Sequence, residues 1–313
     1  MQQSDHQVGI VAATCAYLLW GVLPLYWKLL DSVSPGEVLA HRVIWSLVFM
    51  IGILAIRKQL LPAWTEFKFI FSHFRSAIGI ILASCFISIN WFIFIWAVNS
   101  DRVIEASLGY YMNPLINVLL GVLFLKETLS RWQVVSFILA FCGVAIITMY
   151  YGVVPWTALM LGISFGLYGL IKKLVNAGAM VGLTVETMLV TPFAFIYLYW
   201  IHHQPAFSSS FSLTQLETTF LLIGAGAATA IPLLLFAIGA RRISLSLIGF
   251  LQYIAPTIML LLGIFLFKEA FSVIQFLAFL MIWVGLIIFT TSKTETFQKL
   301  FKPKVQQKQK NVV

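Results

Sequence analysis

Ten apolar segments dominate this sequence, and each is long enough, or nearly long enough, to cross a bilayer. A membrane-spanning helix needs about 20 consecutive, mostly apolar residues, and the connecting segments leave no room for a soluble domain. We therefore predict an all-α integral membrane protein with ten transmembrane helices. The predicted spans are 8–30, 35–56, 76–98, 103–124, 132–149, 156–175, 181–200, 217–240, 245–267 and 274–291.

The composition supports this class of protein. Of the 313 residues, 61% are hydrophobic and 10% are charged, whereas about 25% of the residues of a soluble domain are charged. The net charge of +9 does not indicate nucleic-acid binding, because the basic residues lie between the apolar segments and in the C-terminal tail. The sequence has neither a G-x-x-x-x-G-K-[ST] phosphate loop nor an HExxH motif. We therefore expect no cofactor, no metal and no direct use of ATP.

The lysines and arginines of the connections indicate which side of the membrane each connection faces. With ten spans, sixteen basic residues fall on the side of both termini and three on the other side, while Arg42 lies inside a span. Because cytoplasmic loops carry the excess of Lys and Arg, we expect both termini in the cytoplasm and the chain in the cytoplasmic membrane. The first segment lacks the features of a cleaved signal peptide and is predicted to be a retained helix.

A stretch in the second half of the sequence repeats one in the first half. Residues 107–148 and 249–290 align without a gap at a constant offset of 142, and 14 of the 42 positions are identical. Spans 4 and 5 therefore correspond to spans 9 and 10, and the repeating unit is five helices. Because five is odd, the second copy must cross the membrane in the opposite direction, as in many secondary transporters. The matches include Tyr111/Tyr253, Pro114/Pro256, Gly121/Gly263, Lys126/Lys268, Glu127/Glu269, Gln133/Gln275 and Gly143/Gly285.

We predict two five-helix repeats, at 1–149 and 150–291, followed by a cytoplasmic tail at 292–313. The tail is rich in Lys and Gln and is expected to be disordered. A central site would lie between the two repeats, near the middle of the membrane. Because one chain holds both repeats, a monomer suffices for this arrangement, and the sequence leaves a homodimer open.

Two prolines of the repeat lie in the middle of spans 4 and 9. Pro114 and Pro256 each remove a backbone hydrogen bond and bend the helix, which frees carbonyl groups that can line a cavity. The alternative is a kink that serves packing alone. Polar side chains beside the prolines favour a binding site: Asn113, Asn117, Gln252 and Tyr253.

Charged side chains lie unusually close together near the start of span 2. Glu37 and His41 are one helical turn apart and can touch, and Trp45 continues that face of the helix. Arg42 points elsewhere and lies roughly 10 Å along the helix from its outer end. It would be neutralised by Glu37 or by Glu105 of span 4, or would extend outward to the membrane surface. The functional alternative is that Arg42 binds an anionic or polar group of a substrate.

Aromatic and small residues complete the set of candidates. Trp20, Trp91 and Tyr110 lie too far from the span ends to serve only as interfacial anchors, and they could stack on a flat or amphipathic substrate. The glycine-rich stretch 224–230 and the pair Gly162/Gly166 are predicted to allow close helix packing.

Lys172, Lys173 and Glu186 lie at the ends of spans 6 and 7. They could form an inner counterpart of the charged cluster on span 2. The excess of basic residues in cytoplasmic loops also accounts for both lysines, and we favour that interpretation.

Six motifs of the sequence together indicate a family. They are AYLLWGVLPLYWK (16–28), EVLAHRVIWS (37–46), NWFIFIWAVN (90–99), EASLGYYMNPLINVLLG (105–121), FGLYGLIKK (165–173) and IGFLQYIAPT (248–257). With them the sequence resembles, over residues 8–291, the RarD branch of the EamA permeases, in the drug/metabolite transporter superfamily.

This resemblance implies ten helices in two inverted repeats, both termini in the cytoplasm, and secondary export of a small molecule. The branch also has a naming link to chloramphenicol. The motif positions that the resemblance carries over are Glu37, His41, Arg42, Asn90, Trp91, Glu105, Tyr110, Asn113, Pro114, Gln252 and Tyr253.

We interpret the chain as a permease that works by alternating access on a small metabolite or drug-like molecule, and not as an enzyme. Coupling to protons, through Glu105, Glu37 or His41, and facilitation without any ion are both compatible with the sequence. Two other classes remain open: a membrane-embedded sensor or scaffold, and an intramembrane enzyme. The first would give no flux, and the second would change a compound covalently.

Overall fold

The chain forms a bundle of long helices. A computed structural model describes residues 2–99, 103–152, 156–204, 209–266 and 272–292, with side chains except at positions 2–4, 95, 98, 99, 103–108, 151 and 263. The described part contains no strand. The helices are α1 (Gln2–Lys28), α2 (Pro35–Ile56), α3 (Leu60–Ser72), α4 (Phe74–Asn99), α5 (Val103–Leu125), α6 (Arg131–Tyr151), α7 (Trp156–Leu174), α8 (Ala179–His202), α9 (Leu216–Arg242), α10 (Leu245–Gln252), α11 (Ile254–Leu261) and α12 (Val273–Thr291).

The structure confirms an all-α membrane protein. Nine of the described helical segments are long and apolar enough to cross a membrane, and α5 adds the shorter described stretch Gly109–Leu125. One of the nine, Leu245–Leu266, combines α10, α11 and a π-helical turn. The predicted spans leave 57–75 as a connection, and the helix α3 within it was not predicted. This 13-residue helix is too short to span a bilayer and packs on α4.

The two repeat prolines act differently on their helices. α5 runs through Pro114 without interruption. The span that contains Pro256 instead breaks at Tyr253, between α10 and α11. Pro256 cannot donate a hydrogen bond to the carbonyl of Gln252, four residues earlier, and its ring crowds that carbonyl. The break therefore places Gln252 and Tyr253 where this span changes from one helix to the next.

Helices from the two halves of the chain interdigitate. α1 and α2 both pack on α9, α4 packs on α7 and α8, and α5 packs on α7 and α10. α2 also packs on α8, α1 on α11, and α6 on α12. The largest buried cluster draws on α1, α2 and α4 together with α7 to α11, and Tyr17, Tyr168 and Phe236 lie at its centre. The space between the halves is thus a packed aromatic core.

The glycine positions predicted to allow close packing do so. Gly226 of α9 lies against the backbone of Trp45 on α2, and the Ser46 hydroxyl donates a hydrogen bond to the Gly226 carbonyl at 3.0 Å. Gly162 and Gly166 of α7 both lie against Ile116 of α5. Because a side chain at these positions would separate the helices, the glycines fix how closely α2 approaches α9 and α5 approaches α7.

One end of the bundle is held by polar contacts to the backbone. The Glu127 carboxylate, after α5, accepts hydrogen bonds from the Leu245 N–H at 2.7 Å, the Ser246 N–H at 3.0 Å and the Ser246 hydroxyl at 2.7 Å. These contacts satisfy donors at the start of α10 that no helical carbonyl can reach. Lys173 of α7 donates to the carbonyl of Ile243, in the turn before α10. The connection between α9 and α10 is thereby fixed to α5 and α7.

We expect Gly226→Ala to destabilise the folded protein, because the added Cβ would overlap the backbone of Trp45. Gly52→Ala is the matched control: Gly52 lies within α2, and no atom outside its own helix lies within 4 Å of an added Cβ. There the alanine should be stabilising by about 0.5–1 kcal/mol. Thermal unfolding of the detergent-purified proteins measures both. Equal midpoints for the two variants would contradict the packing described.

Candidate functional site

Arg42 lies where four helices converge. Its Nε donates a hydrogen bond to the Thr229 hydroxyl of α9 at 2.9 Å. Its guanidinium carbon lies 4.6 Å from the ring centroid of Trp27 on α1 and 5.6 Å from that of Trp91 on α4. The cation is therefore held by two aromatic faces and a hydroxyl, between helices of both halves.

No carboxylate neutralises this guanidinium among the side chains that the structure describes. The predicted pairing with Glu37 does not form. Glu37 is buried, and its Oε1 instead accepts hydrogen bonds from the Ser210 N–H at 3.1 Å and the Ser209 hydroxyl at 3.3 Å. The other predicted partner, Glu105, belongs to the first turns of α5, and its side chain lies outside the described residues.

The face of α2 that carries Glu37 is covered by the connection between α8 and α9. His41 stacks on Phe211 with ring centroids 4.8 Å apart and planes inclined by 21°. Trp45 lies 6.2 Å from the same ring. Glu37, His41 and Trp45 therefore share a face, as helical spacing predicts, but this face meets residues 209–211, while Arg42 meets Trp27, Trp91 and Thr229.

The other predicted site residues of the first five-helix repeat differ in what they contact. Trp91 contacts Arg42, and Tyr110 lies edge-on to Phe94 at 6.1 Å. Asn90 joins α4 to α7, because its Nδ2 donates to the Leu161 carbonyl at 2.9 Å and to the Ser164 hydroxyl at 3.0 Å. Trp20 packs on three rings of the aromatic core and so belongs to the packed interior: Tyr17, Phe165 and Phe236.

A polar group lies where α5 crosses α10, next to Pro114. Asn117 is fully buried, and its Nδ2 donates a hydrogen bond to Gln252 Oε1 at 2.8 Å. The backbone of α10 approaches closely because residue 249 is glycine, and an added Cβ there would lie 2.6 Å from the Pro114 carbonyl oxygen. Three buried polar atoms of this group have no hydrogen-bond partner: Asn113 Oδ1, Asn117 Oδ1 and the Tyr253 hydroxyl. Since buried polar atoms are normally hydrogen-bonded, these atoms are candidates to bind a ligand.

A second charged cluster lies between α7 and α8. Lys172 Nζ donates to Glu186 Oε1 at 2.6 Å, and the Tyr168 hydroxyl donates to Glu186 Oε2 at 3.2 Å. All three residues are buried, with Lys172 only 7% exposed. Lys172 is therefore the partner of Glu186, which the excess of basic residues in cytoplasmic loops does not by itself predict. The signal that could have found the pair is the glutamate at 186, inside a predicted span.

The described residues contain no group of three or more His, Cys, Asp or Glu side chains that could hold a metal ion. The described groups of the site are a half-buried guanidinium, a buried ammonium–carboxylate pair, amides and aromatic rings. These groups bind anions and planar molecules through hydrogen bonds and stacking.

Comparison with known proteins connects the chain to membrane transporters. The EamA-like transporter family matches residues 7–149. An uncharacterized transporter of Bacillus subtilis, YojE, is 46% identical over 94% of this chain and 97% of its own length. Protein RarD of Salmonella typhimurium is 40% identical over 96% of this chain and 100% of its own length. A solved crystal structure shares the fold, with a TM-score of 0.68 and 19% identity over 94% of this chain and 100% of that chain.

We expect His41→Phe to keep the folded protein intact, because a second phenyl ring can stack on Phe211 as the imidazole does. Phe211→Ala removes the ring that covers both His41 and Trp45, and should lower the unfolding midpoint. Thermal unfolding of both variants tests this. A larger loss for His41→Phe than for Phe211→Ala would indicate that the imidazole nitrogens, and not the stacking, hold this face.

Proposed function

The chain belongs to the EamA-like transporter family, in the branch that carries the name RarD, and from this premise we propose that it exports a small organic anion across the cytoplasmic membrane by alternating access. The observation that carries the proposal is the environment of Arg42. Among the described side chains, the guanidinium contacts two indole rings and a hydroxyl and no carboxylate. An anionic group of the substrate would supply a counter-ion.

The energetics are compatible with an anion at this position. An arginine at the centre of a membrane helix costs about 2.5–3.5 kcal/mol on insertion scales, and a desolvated cation–π contact returns about 2 kcal/mol. Aromatic contacts therefore hold Arg42 in place without neutralising its charge. Arg presents several N–H donors in a planar fork that matches a carboxylate. Trp27 and Trp91, which flank the guanidinium, offer ring faces to a planar part of the same molecule.

We further propose that the two predicted five-helix repeats are the halves that rock against each other. Exchanging the halves maps α1, α2, α4, α5 and α6 onto α7, α8, α9, α10–α11 and α12. Under this exchange the packing of α1 on α9 corresponds to that of α7 on α4, and the packing of α2 on α9 to that of α8 on α4. The packing of α5 on α7 likewise corresponds to that of α11 on α1.

Individual contacts support the same two-fold relation. An added Cβ at Gly143 would meet the carbonyl of Ala278 at 2.7 Å, and one at Gly285 would meet the carbonyl of Ser136 at 2.9 Å. The offset of 142 relates Gly143 to Gly285 and Ser136 to Ala278, so each contact is the counterpart of the other. α6 and α12 also begin with the same capping box, Ser130 with Gln133 and Ser272 with Gln275. The second Lys-Glu pair, at 268–269, lies outside the described residues.

The name of one relative adds a class of candidate substrates. A relative in Pseudomonas aeruginosa, 27% identical over 90% of this chain, is named chloramphenicol-sensitive protein RarD. Chloramphenicol-type compounds therefore belong among the test compounds. Coupling to protons and facilitation without an ion remain the two alternatives, and the transporter names of the relatives favour either over a sensor, a scaffold or an enzyme.

Export can be tested by untargeted mass spectrometry of medium and cell extract from a deletion strain and an overproducing strain. We expect one or more anionic compounds to accumulate outside only with the intact protein. Arg42→Gln and Arg42→Lys should both lower this export roughly tenfold or more, because neither forms the planar two-bond contact. Arg75→Gln, at an exposed arginine outside the site, is the matched control and should export normally.

Each component of the proposal has its own contrary outcome. Normal export by both Arg42 variants at equal expression would assign Arg42 a structural role only. Export of uncharged compounds alone would contradict the anion. A covalently changed product, in place of a moved compound, would identify an enzyme, and unchanged extracellular compounds in every strain would argue against export.

The orientation can be tested with single cysteines in a variant that lacks the three native ones. Leu213→Cys, at a position that is 88% exposed in the connection between α8 and α9, should react with a membrane-impermeant thiol reagent in intact cells. Thr65→Cys, at an exposed position on α3, should react only after permeabilisation. The reverse pattern would place both termini outside and contradict the cytoplasmic orientation.

A further inference from the structure

A basic cleft opens at the end of the bundle that carries the N-terminus. Its volume is about 870 Å³, and its charged lining comes from α1, α2 and α9. By the orientation proposed above, this end faces the cytoplasm. The charged and titratable residues of the lining are Asp5, His6, Arg57, Arg241 and Arg242.

A small cavity lies behind this cleft. The two share Gly178, Ala179 and Arg241 in their walls. The small cavity measures about 10 Å³, roughly the least space that holds one water molecule. Lys172 and Glu186 line it. The buried ion pair thus lines a small cavity whose walls share Gly178, Ala179 and Arg241 with the open cleft.

The groups around Glu186 form a site for a carboxylate. One oxygen of Glu186 accepts from the Lys172 ammonium at 2.6 Å, and the other accepts from the Tyr168 hydroxyl at 3.2 Å. The protein's own side chain occupies this site. Glycine at 182 leaves space beside the ammonium, since an added Cβ there would lie 3.5 Å from Lys172 Nζ. α4 contributes two apolar residues to the wall of the small cavity, Ile80 and Ala83.

We propose that Lys172 and Tyr168 form a second binding site for the anionic group of the substrate, reached from the cytoplasmic cleft, and that Glu186 is the counter-ion which the substrate displaces. The ligand class is a small organic carboxylate. The proposal rests on the function proposed above. It adds a second anion-binding site, on the cytoplasmic side, to the proposed site at Arg42. Breaking a buried ion pair is costly unless another charge replaces the lost partner. An incoming anion does so for Lys172.

The usual excess of basic residues on the cytoplasmic side explains part of this region but not its centre. Arg57, Arg241 and Arg242 are exposed, as that rule predicts. Lys172 is buried and paired, which the rule does not require. An anionic lipid headgroup has the same chemistry as a carboxylate substrate, and the experiment therefore includes an arm for lipid.

The test uses Ala179→Cys, at a position that lines both spaces, in the full-length protein without its native cysteines. The protein is placed in phosphatidylcholine nanodiscs, and an uncharged maleimide labels the introduced thiol. Benzoate should slow labelling, whereas benzamide, its uncharged analogue of nearly equal shape, should not. When Glu186→Gln is added, the concentration of benzoate that halves the rate should fall roughly tenfold, because Lys172 has lost its competing carboxylate.

Two further variants complete the design. The double variant Lys172→Gln/Glu186→Gln removes both charges, leaves neither unpaired, and should lose the protection by benzoate. Arg75→Gln removes an exposed charge that lines neither space and should retain it. Equal effects of benzoate and benzamide, or protection that survives the double variant, would overturn the proposal.

The lipid arm repeats the labelling in nanodiscs that contain phosphatidylglycerol. Slower labelling from this lipid alone, with no effect of benzoate in phosphatidylcholine, would assign the site to a headgroup and overturn the substrate assignment. The labelling needs no transport, so its failure is separable from failure of the export experiment. Export that depends on Arg42 would stand even if benzoate never protected the introduced thiol.

Discussion

A positive charge inside an apolar helix bundle is the constraint on which the rest of this account depends. Arg42 is carried by α2, and α2 is fixed to α9 by the contact between Gly226 and Trp45. The protein holds the guanidinium with the faces of Trp27 and Trp91 and with the Thr229 hydroxyl. These groups orient the charge without cancelling it, and in the proposed function an anion of the substrate binds the other donors of the guanidinium.

The two charged positions, Arg42 and Lys172, lie toward opposite ends of the helix bundle. Arg42 lies in the first half of α2, close to where the connection between α8 and α9 covers Glu37. Lys172 lies on α7 behind the basic cleft at the opposite end, and its charge is already matched by Glu186. An anion that moves between them would exchange one cation for another. The cost of desolvating its charge would then be offset at both sites, which is what a carrier for anions requires.

The sequence predicted what depends on local pattern and missed what depends on distant partners. Span length follows from hydropathy, so the spans were found within a few residues, and helical spacing correctly separated Arg42 from the face of Glu37 and His41. That Glu37 binds Ser209 and Ser210, some 170 positions away, could not follow from the pattern around it. Lys172 and Lys173 look alike in the sequence, yet one pairs with Glu186 and the other binds the Ile243 carbonyl, because neighbouring residues of a helix face different helices.

The most direct test of the central claim is an experimental structure of the protein with the compound that it exports. The account predicts that the anionic group of this compound lies within hydrogen-bond distance of the Arg42 guanidinium, with a planar part against Trp27 or Trp91. A structure in which Glu105 or another carboxylate forms a two-bond pair with Arg42, while the compound binds elsewhere, would contradict it.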